Sequence, residues 1–189
     1  MDGLIMDWDL TIPRILDRAR KVFPHNEVVS NLPEGRHSYT WAEFYGRVVR
    51  LMNVLRKLGV KRGDRVATFA WNHYRHLELY FAIPCCGAIL HTLNLRLFPE
   101  QLQYIVNHAE DSMIFVDDNL PRPIEAMAGK FESVKQYVVM GPATDLPETT
   151  LAPAANSLRL AGRISTTVRP LSSITSSPPS NRSALACPL

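Results

Sequence analysis

A chain of 189 residues that is 46% hydrophobic and 21% charged is long enough to bury one ordinary core, and its composition is that of a globular domain. The net charge of +3 divides unevenly: all 18 Asp and Glu lie at or before Glu148 with 17 Lys and Arg, whereas residues 149–189 hold four Arg and no acid. Four arginines scattered among Ser and Pro form no basic stripe, which argues against a nucleic-acid partner, and the longest apolar run, Leu79–Leu93, is too short to span a bilayer and is broken by Pro84 and Gly87.

In chain order, Ile12, Ile15, Leu16, Ala19 and Phe23 fall at helical spacing, with Pro13 suited to a first turn. Glu27–Ser30 and His37–Thr40 read as two short strands around an LPEG turn. Thr40 and Glu43 have the spacing of a capping box, and Phe44, Val48, Leu51, Met52, Leu55 and Leu58 then line one helix face. Arg47, Arg50, Arg56 and Lys57 are assigned to the exposed side and last turn, and Gly59 to the stop. Gly63-Asp64 turns into a strand, Arg65–Trp71. A helix from Arg75 to about Cys86 and a mostly apolar strand, Ala88–Leu93, follow. Pro99 opens another helix with Leu102, Ile105 and Val106 inward; Met113–Val116 is a strand that Asp117-Asp118 ends. A helix near Ile124–Phe131 and a strand, Val134–Met140, complete the pattern. The fold class is α/β: a layered, mostly parallel sheet with helices on both faces and a small antiparallel piece at the N-terminus. Residues 1–148 are expected to form one partial α/β domain. Residues 149–189 contain thirteen Ser or Thr, five Pro and no sustained period, and are expected to be a disordered tail.

No chemistry emerges from isolated motifs. Gly59 and Gly63, in GVKRGDR, read as a helix end and a turn, because no GK[ST] or helix start follows. His73 and His76 lack the third and fourth ligands of a metal site and read as cap or pairing residues at a helix start. His91 lies near the C-terminal end of a parallel strand, where open α/β sheets place ligands; the alternative is a satisfied polar core residue. Cys86, at a helix C-terminus among apolar neighbours, reads as inert packing. Asp117-Asp118 read as a turn and N-cap rather than a metal site. Adjacent Cys85 and Cys86, with Cys187 and no CxxC, make no disulfide framework, and the acid-containing N-terminus has no apolar leader core. A cytoplasmic, reducing location is expected.

The order of residues says more. The blocks GDRVATFAWNHYRHLELYFAIP, HTLNLRL and YIVNHAEDSMIFVD, preceded by ILDRARKVFPHNEVVS, resemble the N-terminal region of AMP-dependent synthetases, nearest to medium- and long-chain fatty acyl-CoA ligases. The likeness covers about residues 10–150; Leu95 departs from it, where the family commonly has Pro. The resemblance implies a two-step ligase in which fatty acid and Mg-ATP give an acyl-adenylate and CoA then displaces AMP. It implies ATP, Mg and CoA for the parent family, and often dimerisation through the N-terminal domain.

The family's TSGTTGxPKG-type phosphate loop is not among the 189 residues, nor are its later Tyr-Gly-x-Thr-Glu block and adenylating Lys. Residue-by-residue transfer therefore yields no catalytic residue, no metal ligand and no cofactor for this chain. His91, Asn94 and Arg96 match an N-terminal block and are carried over as candidate crevice-lining positions. The expectation is a truncated chain, inactive alone, with a frame or exon shift near Ala152–Ser157. The alternatives are a non-catalytic partner of a full-length ligase, as homo- or hetero-dimer, and a product without function.

Overall fold

A computed structural model describes residues 9–141, together with the backbone of residues 157–160 and 164–170. Helix α1 (Ile12–Val22) begins with Pro13 in its first turn and buries Leu16. Strands β1 (Glu27–Leu32) and β2 (Gly35–Thr40) pair antiparallel from Glu27↔Thr40 to Leu32↔Gly35. Only Pro33 and Glu34 separate them, and Gly35 takes φ 127°, which a side chain would resist.

Helix α2 (Trp41–Lys57) starts on the expected capping box: the Glu43 N–H donates to Thr40 Oγ1 at 3.2 Å and the Thr40 N–H donates to Glu43 Oε2 at 2.8 Å. Its buried stripe includes Phe44, Val48, Leu51, Met52 and Leu55, and it ends before Gly59, at φ 87°. Arg47 corrects the sequence reading. It points inward to Glu78, because position 47 belongs to the same face as Phe44, Val48 and Leu51.

The main sheet uses β3 (Arg65–Phe69), β4 (Ile89–Thr92), β5 (Met113–Asp117) and β6 (Gln136–Met140), all parallel, in the order β4-β3-β5-β6. Helix α3 (Tyr74–Cys85) joins β3 to β4, and α4 (Pro99–Ala109) carries the chain back past β3 to β5. The crossover from β3 to β4 and the return crossover from β4 to β5 run in opposite directions along the sheet, and right-handed connections of opposite direction place α3 and α4 on opposite faces. The two cores agree with that placement. Val66, Met113, Phe115, Val138 and Met140 pack with α2 and α3, whereas Ala67, Phe69, Ile114, Val116 and Tyr137 pack with α4 and α5 (Pro121–Glu125). Successive strand residues alternate between these faces with the period of a strand.

Three elements differ from the sequence reading. Strand β3 stops at Phe69, leaving Trp71 in the following loop. Strand β4 ends the row, so its apolar sequence is only part-buried and Ile89 is 52% exposed. The helix expected at Ile124–Phe131 is instead the short α5 followed by a 3-10 turn, Ala128–Lys130; Pro121 and Pro123 move its start earlier. Within residues 149–189, β7 (Ser157–Leu160) and β8 (Ile164–Pro170) form an antiparallel pair, and β8 runs antiparallel to β6. The rest of the expected tail, and most of the proposed frame-shift segment, lie outside the described residues.

Candidate functional site

Open parallel sheets bind ligands beyond the carboxyl ends of their strands, at the point where neighbouring connections diverge. Here that point lies between β3 and β5. It is closed by a polar cluster drawn from the loop after β3, the start of α3 and the end of β5. Asp117 is buried; its Oδ2 accepts the Trp71 N–H at 2.9 Å, and His73 Nε2 lies 2.8 Å from both carboxylate oxygens. His73 is also the N-cap of α3: its Nδ1 accepts the His76 N–H at 3.4 Å. An accepting Nδ1 requires the proton on Nε2, the atom that donates to Asp117.

His76 continues the lattice. Its Nδ1–H donates to the Trp71 carbonyl at 3.1 Å, and its Nε2 accepts from the Thr68 hydroxyl at 2.9 Å. Burial depresses its pKa, opposed by the Trp71 carbonyl, so the ring is held neutral. Beside it, burial raises the Asp118 carboxyl, opposed by Arg75 at 3.9 Å. The histidine–aspartate pair has the look of a catalytic dyad, but its outer nitrogen faces a backbone N–H and no nucleophile hydroxyl or thiol. What the arrangement does is hold the β3–α3 turn against the end of β5. The expected capping and pairing roles of His73 and His76 are therefore observed.

His91, Asn94 and Arg96 are placed differently. His91 Nδ1 lies 2.7 Å from Asp111 Oδ2, beside the amino end of β5 rather than its carboxyl end. Asp111 is fully buried; desolvation raises its pKa against the opposing pull of His91, and its Oδ1 has no hydrogen-bond partner. Asn94 and Arg96 are exposed in the β4–α4 loop, where Asn94 Oδ1 accepts the Arg96 N–H at 3.0 Å. That bond shapes a local turn. No hydrogen bond among the described residues joins His91 to either of them.

A second buried cluster escaped the sequence reading. Glu78 accepts from Arg47 Nε, from Arg47 Nη2 at 3.3 Å and from the Tyr39 hydroxyl at 3.0 Å. The guanidinium carbon lies 5.6 Å from the Tyr39 ring centre and 5.5 Å from that of Tyr74. Burial, then the Glu78 carboxylate, pushes the Tyr39 hydroxyl well above its ordinary range. The available signal was helical position: residues 44, 47, 48 and 51 share one face of α2, and Glu78 sits beside buried Leu79 and Ala82 on α3.

The described residues show neither a metal-binding cluster nor a phosphate cradle. They contain no group of three His, Cys, Asp or Glu placed to hold a metal ion. The positive-φ glycines, Gly35, Gly59, Gly63 and Gly87, terminate helices or turn the chain and form no phosphate cradle. No helix among them is long and apolar enough to cross a membrane.

A four-strand parallel sheet between α2–α3 and α4–α5, preceded by a hairpin, is the architecture of the N-terminal α/β layer of adenylate-forming ligases. An anthranilate–CoA ligase, solved with anthranoyl-AMP, superposes with a TM-score of 0.65 at 22% identity, over 74% of this chain and 26% of its own. The chain belongs to the AMP-binding enzyme family, whose model matches residues 16–182. It is 50% identical over 137 residues to a long-chain-fatty-acid–CoA ligase of Thermus thermophilus, covering 72% of this chain and 25% of that protein. It is 39% identical over 146 residues to a 3-methylmercaptopropionyl-CoA ligase of Ruegeria lacuscaerulensis, covering 77% of this chain and 27% of the relative. The chain thus spans about a quarter of the length of these relatives.

Proposed function

We propose that this chain is the N-terminal α/β layer of a fatty acyl-CoA ligase of the cytoplasm, the reaction being ATP, fatty acid and CoA to acyl-CoA, AMP and pyrophosphate through an acyl-adenylate. The observation that carries the reading is the 50% identity with a long-chain ligase over 137 residues, 72% of this chain. The part supplied is scaffold: the His73–Asp117 and Arg47–Glu78 clusters rigidify the layer. The 189 residues alone are expected to catalyse no adenylation, because their sequence holds no TSGTTGxPKG-type loop to donate to charge developing on the α-phosphate.

Two measurements test this. Purified chain with magnesium-ATP and a fatty-acid series should show no exchange of pyrophosphate into ATP; exchange that follows protein concentration would refute inactivity. Grafting residues 10–140 into the corresponding part of the Thermus thermophilus ligase should preserve acyl-CoA formation. A soluble, folded graft without turnover would count against the ligase-layer reading.

A second reading is favoured by the β4 end of the sheet, where Ile89 and Tyr80 are exposed beside a four-residue strand. There the chain acts as a non-catalytic partner, pairing with a full-length ligase or with itself. Co-elution with such a ligase, abolished by Ile89→Lys, is expected; independent elution of the two proteins sinks this reading.

A further inference from the structure

The β1–β2 hairpin forms its own two-stranded ribbon and leans on the helices through one face. Val28, Ser30, His37 and Tyr39 share that face, with Ser30 opposite His37 and Val28 opposite Tyr39 in the ladder. Its base is secured. Val28 and Tyr39 are buried, and the Tyr39 hydroxyl donates to Glu78 at 3.0 Å. The Trp41 and Ala42 N–H groups donate to the Asn26 and Pro24 carbonyls at 3.0 and 3.1 Å. The outer half rests on a ring stack. His37 lies against Tyr74, the first residue of α3, with centroids 4.1 Å and planes 29° apart, and the Tyr39 ring is tilted beside it at 5.2 Å. The His37 Nε2 is buried and has no hydrogen-bond partner among the described residues. Around the stack, the guanidinium carbons of Arg47 on α2 and Arg75 on α3 lie 5.5 and 5.1 Å from the Tyr74 ring centre. Glu78 on α3 is engaged by Arg47, Asp118 lies 3.9 Å from Arg75, and His73 is turned to Asp117. On β1, Ser30 brings no charge.

We propose that His37 is an acid-sensitive latch: as a neutral ring it holds the outer half of the hairpin on Tyr74, and as a cation it releases that half while the helices and the main sheet stay folded. A proton on this imidazole makes a third cation beside one tyrosine ring, with Glu78 already committed to Arg47. It also leaves a charged N–H buried with nothing to accept it. The attraction of a cation for a tyrosine face does not offset this, because Arg47 and Arg75 already share that ring. Desolvation, then Arg47, lowers the His37 pKa against the opposing pull of Glu78, the direction the geometry demands. Release is local because an isolated two-stranded ribbon is marginally stable and this one has no ladder to the six-stranded sheet. The latch is a property of the hairpin and its helices and stands whether or not the chain takes part in ligation.

The test is native-state amide exchange of the purified 189-residue chain from about pH 8 to about pH 5, each rate corrected for its intrinsic value at that pH. Because the docked pKa is the lower one, the contribution to docking is present above 6.5 and is lost as pH falls through the depressed value. Protection of residues 29–38 should therefore be level above 6.5 and fall below it by up to about tenfold per pH unit. The opening is local, so these amides should be less protected than those of Met113–Asp117 and insensitive to dilute urea, which lowers protection in β5. His37→Phe keeps a ring on Tyr74 and removes the titrating nitrogens, and its hairpin protection should stay level. A proton NMR titration of the His37 ring in the parent chain needs no variant and should give a midpoint below 6.5. A level parent profile, hairpin amides that match β5 in protection and urea sensitivity, a slope retained in folded His37→Phe, or a His37 midpoint at or above 6.5 overturns the proposal.

Discussion

Glu78 offers the sharpest test of the packing argument. Its side chain is 2% exposed and that of Arg47 15%, so both charges lie largely out of water. Glu78→Ala removes the acceptor for two guanidinium nitrogens and for the Tyr39 hydroxyl at once. The loss leaves a charge buried without a counter-charge, which destabilises by roughly 3–5 kcal/mol. Arg47→Ala should fall in the same range, because it strands the carboxylate instead. The double replacement Arg47→Met, Glu78→Leu removes both charges and keeps the volume, and should lie within about 1 kcal/mol of the parent. At about 4 °C per kcal/mol for a domain of this size, either single change lowers the melting temperature by roughly 12 °C or more. Urea unfolding followed by circular dichroism gives all four corners of the cycle. If Glu78→Ala shifts stability by less than about 1 kcal/mol, or if the single changes simply add, the pair is not the buried lock between α2 and α3 that its geometry indicates.

Four further outcomes can be measured on the same chain. Asp117→Ala should destabilise by about 3 kcal/mol, since it removes the acceptor of the Trp71 N–H and of His73; an unchanged urea midpoint would contradict the clamp between β3 and β5. His76 has a folded-state pKa below its ordinary 6.5, so its contribution to stability is present above 6.5 and is lost as pH falls through the depressed value; His76→Leu should flatten that limb of the urea midpoint against pH. Asp111 acts in the opposite sense: with its pKa raised above 3.8, its contribution is lost as pH rises from there, and Asp111→Asn should flatten that limb. Gly87 occupies φ 78°, and an added Cβ would lie 3.2 Å from Arg62 Cγ; Gly87→Ala should therefore destabilise by roughly 1–2 kcal/mol in the same titration, and a neutral result would show that the turn relaxes.

The elements most legible in the sequence were those in which local chemistry and periodicity agree. Thr40 and Glu43 marked the start of α2 because the spacing that forms a capping box is local to one turn. The strands Met113–Asp117 and Gln136–Met140 were legible because they are apolar on both faces, as a covered parallel sheet demands. His73 was legible as a cap for the same local reason. Its partner was not, because Asp117 lies 44 residues away and only the parallel pairing of β3 with β5 brings the two together. A separation of 20 residues hid Asp111 from His91, and their hydrogen bond fits the satisfied polar residue that was one of the two readings His91's strand position left open.

Arg47 shows where residue type overruled position. Its place in the 44–47–48–51 stripe pointed inward, and its charge argued for solvent; position prevailed because Glu78 stood 31 residues away on the facing helix with two oxygens to offer. A charged residue on a buried stripe is therefore a reason to search the neighbouring helix for its opposite, here the lone acid of LELYFAIP. α1 is the converse case. Arg14, Arg18 and Lys21 fall on the side away from Leu16, and Ile15 and Val22 beside them stay exposed, as the same helical periodicity requires.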